Sequence, residues 1–266
     1  MQRRIESEIM HNAQQKVYPD GSSVILVSDR RCFREPGWEA DKPLERSEGR
    51  ERVGEDIERS KRRARASVTD LARCNDFAYF VTLTLNAARV DRYDIAASLR
   101  PMRVLLDNAV RRHGLRYILV PEHHKDGAIH FHGLINSGAW ELVDSGTLRL
   151  PDRKQPRKPR SKKERARLLD EGAQIVYNIP DWKLGFSTAI ELYGDHKAAI
   201  AYVCKYIGKE AQKIGGRWYY SGGKLRRPEK RYFDLEEYQD VVRGEQSFTI
   251  PRLGCRCWKI ETEGNE

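Results

Sequence analysis

One short alternating segment constrains the fold of this chain more than any other. The segment AIHFHGLIN (128–136) follows LRYILVPE (115–122), and HHKDG (123–127) between them has the composition of a turn. Side chains alternate along an extended strand, so His130 and His132 project from one face about 7 Å apart at Cα. The sequence therefore predicts a β-hairpin whose second strand carries two imidazoles within reach of a single ion.

The histidine pair needs a further ligand if it binds a metal. Glu122 ends the first hairpin strand and would lie across from the histidine strand, while His123 and His124 are alternatives in the turn. A cupin-type barrel would place a carboxylate shortly after the pair, but residues 133–140 contain none. Two imidazoles and one carboxylate with open positions suit Mg²⁺ or Mn²⁺ acting as a Lewis acid.

A second candidate element is the segment DHKAAIAYVCKYIGKEA (195–211), which has the periodicity of a helix. Its apolar stripe lies on one side, and the opposite side carries Tyr202, Lys205, Tyr206 and Lys209. A tyrosine can act as a nucleophile, but its ordinary pKa of about 10 requires a cation or a base to stabilise the phenolate. The interleaved lysines supply an ammonium for this purpose, or neutralise the charge of a phosphate.

The chain is basic, with a formal net charge of +10, which favours a polyanion as partner. Residues 149–167 contain ten lysines and arginines against two acidic residues. This segment is either a solvated insertion or an arm that contacts phosphates. The candidate DNA-binding residues are Arg153, Lys154, Arg157, Lys158, Arg160, Lys162 and Lys163, together with Arg217 and Trp218 in a second predicted hairpin (215–228).

Composition also limits the location of the protein. No window approaches the roughly 18 consecutive apolar residues of a membrane helix. The five cysteines are scattered and odd in number, and the first ten residues are charged rather than apolar. We therefore expect a reduced cytoplasmic protein without a membrane span.

The distribution of these patterns predicts three regions. Residues 1–75 read as a basic N-terminal arm that ends in a helix, and residues 229–266 as a C-terminal extension. Between them, residues 76–228 form the core domain, interrupted by the basic insertion at about 149–172. The core combines strand-like segments such as FAYFVTLTLN (77–86) with an amphipathic helix over 93–114, which predicts an α+β fold.

Three segments in one order resemble the motifs of a known family. They are FVTLTLN (80–86), HFHGL (130–134) and YVCKYIGK (202–209). Together they resemble the HUH endonucleases, and most closely the phage- and plasmid-type initiators of rolling-circle replication, which carry two tyrosines with interleaved lysines. The resemblance covers about residues 77–228.

The resemblance implies an antiparallel five-stranded sheet of ferredoxin-like descent with flanking helices. His130, His132 and Glu122 would hold Mg²⁺ or Mn²⁺, and Tyr202 and Tyr206 would be the nucleophiles. Lys205 and Lys209 would assist them. The first motif lacks a charged residue, so Thr82, Thr84 and Asn86 are assigned to structure and substrate positioning.

The implied reaction is the nicking of single-stranded DNA at a replication origin. A tyrosine would form a 5′-phosphotyrosine link and release a 3′-OH, and a second transesterification would rejoin the strand. The chain has no Walker A motif, so a host helicase and a DNA polymerase in the bacterial cytoplasm are the expected partners. The alternatives are an HUH transposase or relaxase, or a basic DNA-binding protein without catalysis.

Overall fold

The computed structural model describes residues 10–35, 54–124, 126–151, 153, 155–193, 196–250 and 254–264, apart from the side chains of Glu55 and His196. The chain divides into a larger unit, Arg52–Arg226, and a smaller unit formed by Met1–Glu51 and Arg227–Glu266.

Within the described residues the strands are, in chain order, β1 (Met10–His11), β2 (Ala13–Val17), β3 (Ser23–Ser28), β4 (Phe33–Arg34), β5 (Tyr79–Leu85), β6 (Tyr117–His123), β7 (Ile129–Ile135), β8 (Val143–Arg149), β9 (Gln174–Asn178), β10 (Gly185–Glu191), β11 (Tyr220–Gly222), β12 (Glu229–Phe233), β13 (Ser247–Ile250) and β14 (Cys255–Thr262). The helices are α1 (Gly54–Arg73), α2 (Ile95–His113), α3 (Lys162–Asp170), α4 (His196–Lys209) and α5 (Tyr238–Val241).

The larger unit is built on a seven-stranded sheet in the order β11-β6-β7-β5-β10-β9-β8. All neighbouring strands are antiparallel. The predicted hairpin is present as β6 and β7, with Glu122 directly opposite His130 and Val120 opposite His132. The histidine strand lies between β6 and β5, near the middle of the sheet, so its residues are held by hydrogen bonds on both sides.

One face of this sheet packs on α2. Leu99, Met102 and Leu106 of the helix are buried in one cluster with Leu83 and Phe131 of the sheet. The helix begins at Asp94, whose carboxylate accepts hydrogen bonds from the backbone of the first turn, and ends at a left-handed glycine. These features confirm the amphipathic helix that the spacing of apolar residues predicts.

The opposite face, which carries the histidines, is covered by α1 and α4. Val120 and Leu134 of the sheet form a buried cluster with Val68 of α1 and with Val203 and Ile207 of α4. The sequence predicts α1 as the end of a separate arm, but the helix belongs to the larger unit. Its sparse apolar positions are enough to form one stripe that removes this face of the sheet from water.

The basic insertion contains ordered structure. It includes the end of β8 and the short helix α3, which begins after Ser161, whose hydroxyl accepts a hydrogen bond from the backbone N–H of Glu164. Leu148 and Leu168 are buried with Ala173 in a small cluster of their own. The insertion is therefore tied to the edge of the sheet.

The smaller unit contains a five-stranded antiparallel sheet in the order β12-β2-β3-β14-β13. The N-terminal segment supplies two of its strands, and the C-terminal segment supplies three. The division therefore differs from the predicted arm and extension, because pairing between opposite ends of a chain leaves no local pattern in the sequence.

The α+β class with antiparallel sheets is confirmed. A sheet of five strands is present in the smaller unit, and the sheet that carries the histidines has seven. Among the described residues, none of the helices combines the length and the apolar character that crossing a bilayer requires.

Candidate active site

Two threonines orient the two histidines from the neighbouring strand. Thr84 lies opposite His130 in the β5–β7 pairing, and Thr82 lies opposite His132. Each threonine hydroxyl contacts the Nδ1 of its histidine, at 3.2 Å for His130 and 3.1 Å for His132. Because Nδ1 is occupied, Nε2 is the nitrogen that each ring can offer to an ion. The first sequence motif thus has a structural role in this site.

Glu122 lies between an imidazole and an ammonium. Its Oε2 is 2.9 Å from Nε2 of His132, and its Oε1 accepts a hydrogen bond of 2.6 Å from Nζ of Lys209. The carboxylate side chain is 17% exposed, so it is shielded from water but accessible at the edge of the site. The structure therefore brings β6, β7 and the end of α4 together at one carboxylate.

Burial lowers the pKa of both histidines. For His132 it lowers the pKa to about 4 and outweighs the opposing effect of the Glu122 charge. For His130 burial is again the largest cause, and the nearby His124 lowers the pKa further. Both imidazoles are therefore neutral at pH 7, which is the form that binds a metal ion.

The two alternative third ligands have other acidic partners. The Nδ1 of His123 is 2.9 Å from Glu210, and the Nδ1 of His124 is 3.2 Å from Asp126. The ring of His124 also stacks on that of His130, with centroids 4.7 Å apart. Of the three candidates, Glu122 is the one in contact with the histidine pair through His132.

The donor atoms of His130, His132 and Glu122 do not form a tight group. Within the described part of the chain, they are not all within 4.8 Å of one another. Binding of one ion by all three would therefore require a side-chain adjustment.

The helix α4 places both tyrosines beside the histidine strand. The ring of Tyr206 stacks on that of His132, with centroids 3.9 Å apart and planes 12° apart. Its hydroxyl donates a hydrogen bond of 2.8 Å to the hydroxyl of Tyr202. The Nζ of Lys209 lies 4.3 Å from the centre of the Tyr206 ring, while Lys205 is exposed on the same helix. Both hydroxyls and one lysine thus meet near the predicted metal ligands.

The two tyrosines differ in their exposure, contrary to the prediction that both lie away from the core. Tyr202 is 41% exposed, but Tyr206 is 6% exposed and belongs to the buried cluster of α4. The reason is that α4 lies over the histidine face of the sheet, so a second side of the helix is also covered. Burial, the hydrogen bond with Tyr202 and the charge of Glu122 all raise the pKa of Tyr206.

A cavity of about 270 Å³ lies beside Tyr202. Its lining includes Phe80, Arg149, Tyr193 and Ala198. The edge of Phe80 meets the Tyr202 ring, with centroids 5.2 Å apart. Sequence reasoning did not single out Phe80, although alternation along β5 places it on the same face as the two threonines.

The basic insertion presents most of its predicted DNA-binding residues to solvent. Arg157 instead donates a hydrogen bond of 2.8 Å to Glu164, which holds the insertion to α3. Lys154 lies outside the described residues. The exposed members of the set are Arg153, Lys158, Arg160, Lys162 and Lys163.

The second predicted DNA-binding hairpin needs a correction. Arg217 is exposed, but Trp218 is 7% exposed and its indole N–H donates a hydrogen bond of 2.9 Å to Ser60. The side chain belongs to the cluster under α1 and α4. An aromatic residue beside a turn predicts a surface for stacking bases, but this one packs against a helix that lies far away in the sequence.

An antiparallel sheet that presents a histidine pair to a tyrosine helix is the arrangement that the resemblance to rolling-circle initiators predicts. The family model described as Replication-associated protein, of the ORF2 type, matches residues 78–211, which is half of the chain and includes every residue of the candidate active site. The chain belongs to this family of replication-associated proteins. The search of curated proteins and the search of solved structures gave no match.

Proposed function

We propose that the protein is a metal-dependent tyrosine endonuclease that initiates rolling-circle replication in the cytoplasm of a bacterial host. It would nick single-stranded origin DNA, remain attached through a 5′-phosphotyrosine, and rejoin the strand by a second transesterification. The observation that carries the proposal is the stacking of Tyr206 on His132, with its hydroxyl bonded to that of Tyr202. Membership of a replication-associated family supports DNA as the substrate.

In this proposal His130, His132 and Glu122 hold Mg²⁺ or Mn²⁺. Two neutral imidazoles and a carboxylate fit such an ion, and Thr82 and Thr84 leave Nε2 of each ring for ligation. When bound, the ion supplies Lewis-acid polarisation of the scissile phosphate.

Tyr202 is proposed as the first nucleophile, because it is the exposed member of the pair. Its Oη would form a bond to phosphorus while the bond from phosphorus to the 3′-oxygen breaks, and the leaving oxygen takes up a proton. Tyr206 would then serve the second transfer, since its hydroxyl already lies 2.8 Å from that of Tyr202. Lys209 would neutralise charge beside both rings, from its position on Glu122.

The remaining parts of the proposal concern the path of the DNA. The exposed basic residues of the insertion would contact phosphates without reading bases. The cavity beside Tyr202 offers an aromatic wall, Phe80, and a cationic one, Arg149, for the nucleotide next to the scissile phosphate. Strand separation and extension from the 3′-OH would come from a host helicase and polymerase.

The test is covalent capture of DNA, which does not require a known origin. The protein is incubated with Mn²⁺ and a library of randomised single-stranded oligonucleotides, and adducts are isolated on denaturing gels. We expect a 5′-linked adduct that maps to Tyr202 by mass spectrometry, and loss of all adduct in the Tyr202→Phe/Tyr206→Phe double variant.

Tyr238→Phe is a matched control, because this tyrosine lies in the smaller unit. It should form as much adduct as the parent protein. Binding of DNA without any adduct would contradict the proposal and favour a DNA-binding protein without catalysis. An adduct that survives in the double variant would refute the roles assigned to these tyrosines.

A further inference from the structure

Three thiols converge in the smaller unit. Cys255 and Cys257 alternate along β14, so their side chains lie on one face of that strand. Cys32 comes from the turn before β4. The three Sγ atoms all lie within 4.8 Å of one another, and those of Cys255 and Cys257 are 3.8 Å apart. Both cysteines of β14 are fully buried.

The backbone holds the turn that carries Cys32 against β14. The N–H of Asp29 donates to the carbonyl of Arg256 at 3.0 Å, and the N–H of Arg256 donates to the Asp29 carboxylate at 3.1 Å. The N–H of Cys32 donates to the carbonyl of His11 at 2.9 Å. The thiols are therefore positioned by bonds that do not depend on an ion.

A buried hydroxyl lies in the same cluster. Ser28 is directly opposite Cys257 in the β3–β14 pairing, and its side chain hydrogen-bonds with the thiols of Cys32 and Cys257. A hydroxyl that donates to a thiolate stabilises its negative charge. Ser28 is thus placed as an outer partner of two sulfur ligands.

The sulfur geometry suits a metal ion. A tetrahedral zinc site with Zn–S bonds of about 2.3 Å has sulfur atoms about 3.8 Å apart, which is the separation of Cys255 and Cys257. A disulfide would join two of the three sulfurs and exclude the third, and all three cysteines are free. Packing alone gives no reason for thiols from opposite ends of the chain to meet at this spacing.

We propose that Cys32, Cys255 and Cys257 bind one soft metal cation, Zn²⁺ or Cu⁺. Thiolates select these ions over Mg²⁺ and Mn²⁺, so this site would be distinct in its chemistry from the histidine site. Each thiol that ligates the ion releases its proton to solvent. The described residues supply three ligands, so a fourth position on Zn²⁺ would be filled by water or an added ligand.

The first experiment uses the full chain, reduced and freed of metal with a chelator. It is titrated with Co²⁺, a spectroscopic substitute for Zn²⁺ whose thiolate complexes absorb by charge transfer in the near ultraviolet. We expect this absorption to saturate at about one Co²⁺ per chain and to disappear when Zn²⁺ is added. A parallel competition with a chromophoric Cu⁺ chelator shows whether Cu⁺ occupies the site instead. Binding of either ion by the thiols supports the proposal, and binding of neither overturns it.

Two variants and two controls locate the site. Cys32→Ser and Cys255→Ser should abolish the charge-transfer absorption, whereas Cys204→Ser and His130→Ala, both in the larger unit, should retain it. Equal loss in the Cys204→Ser variant would overturn the assignment.

Alkylation of the parent protein tests the site even if a variant fails to fold. Bound metal should protect Cys32, Cys255 and Cys257 from alkylation, as mapped by mass spectrometry, and its removal should expose them. A disulfide among these cysteines in the non-reduced protein, or protection that does not depend on metal, would contradict the proposal.

Discussion

Replacement of Thr82 by valine should weaken metal binding at the histidine site without disturbing the sheet. Thr82 and valine have the same branched shape and both favour strands, so the change removes little except the hydrogen bond of 3.1 Å to Nδ1 of His132. That bond fixes which nitrogen of the ring is free. Loss of such an outer partner costs roughly 10- to 100-fold in metal affinity, or about 1.4 to 2.7 kcal/mol.

The assay is the Mn²⁺ concentration that gives half-maximal adduct formation, supported by direct titration with Mn²⁺. We expect this concentration to rise roughly 10- to 100-fold in Thr82→Val, while the thermal midpoint falls only slightly, because one hydrogen bond contributes about 1 kcal/mol. Thr188→Val is the matched control, since Thr188 is exposed and lies directly across from Thr82 on β10. An unchanged Mn²⁺ requirement in Thr82→Val would refute the role given to the threonine.

Three further outcomes are expected. Neutralising Lys158, Lys162 and Lys163 with glutamine should weaken binding of single-stranded DNA and reduce the slope of log affinity against log salt by about 2, as measured by fluorescence anisotropy; an unchanged slope would mean that the insertion is only solvated. Stability should fall as the pH drops from about 6.5 towards 4, because burial lowers the pKa of His132 to about 4 and the unfolded chain therefore binds more protons in this window. Denaturant titrations of the parent and of His132→Gln at about pH 7.5 and pH 5 measure this effect, and an equal loss in both would assign it to other groups. Gly133→Ala should unfold the larger unit, because a Cβ there would collide with the backbone carbonyl of Ile118 in β6; a circular dichroism spectrum and thermal midpoint like those of the parent would refute this.

Local patterns are sufficient to predict the elements that carry the site. Strict alternation identifies the histidine strand, and its pairing with β6 places Glu122 opposite His130. The spacing of apolar residues identifies α2 and α4. These features are predictable because a strand repeats every two residues and a helix every 3.6, so the chain itself records which side faces the core.

Neither period shows how many sides of an element will be covered. The burial of Tyr206 depends on where α4 lies over the sheet, and that of Trp218 on a contact with Ser60 in α1. The bond between Lys209 and Glu122 joins the end of a helix to the end of a strand. Each of these contacts links segments that are distant in sequence.

The antiparallel hairpin, the two imidazoles on one face and the tyrosine pair on one helix can all be predicted from the amino-acid order, since each follows from the repeat of a single element. The unequal exposure of the two tyrosines and the joining of both chain ends in one sheet depend instead on how the elements pack. The same is true of the meeting of Cys32 with Cys255 and Cys257. Proximity between distant segments arises from the packing of the whole chain, and no local period encodes it.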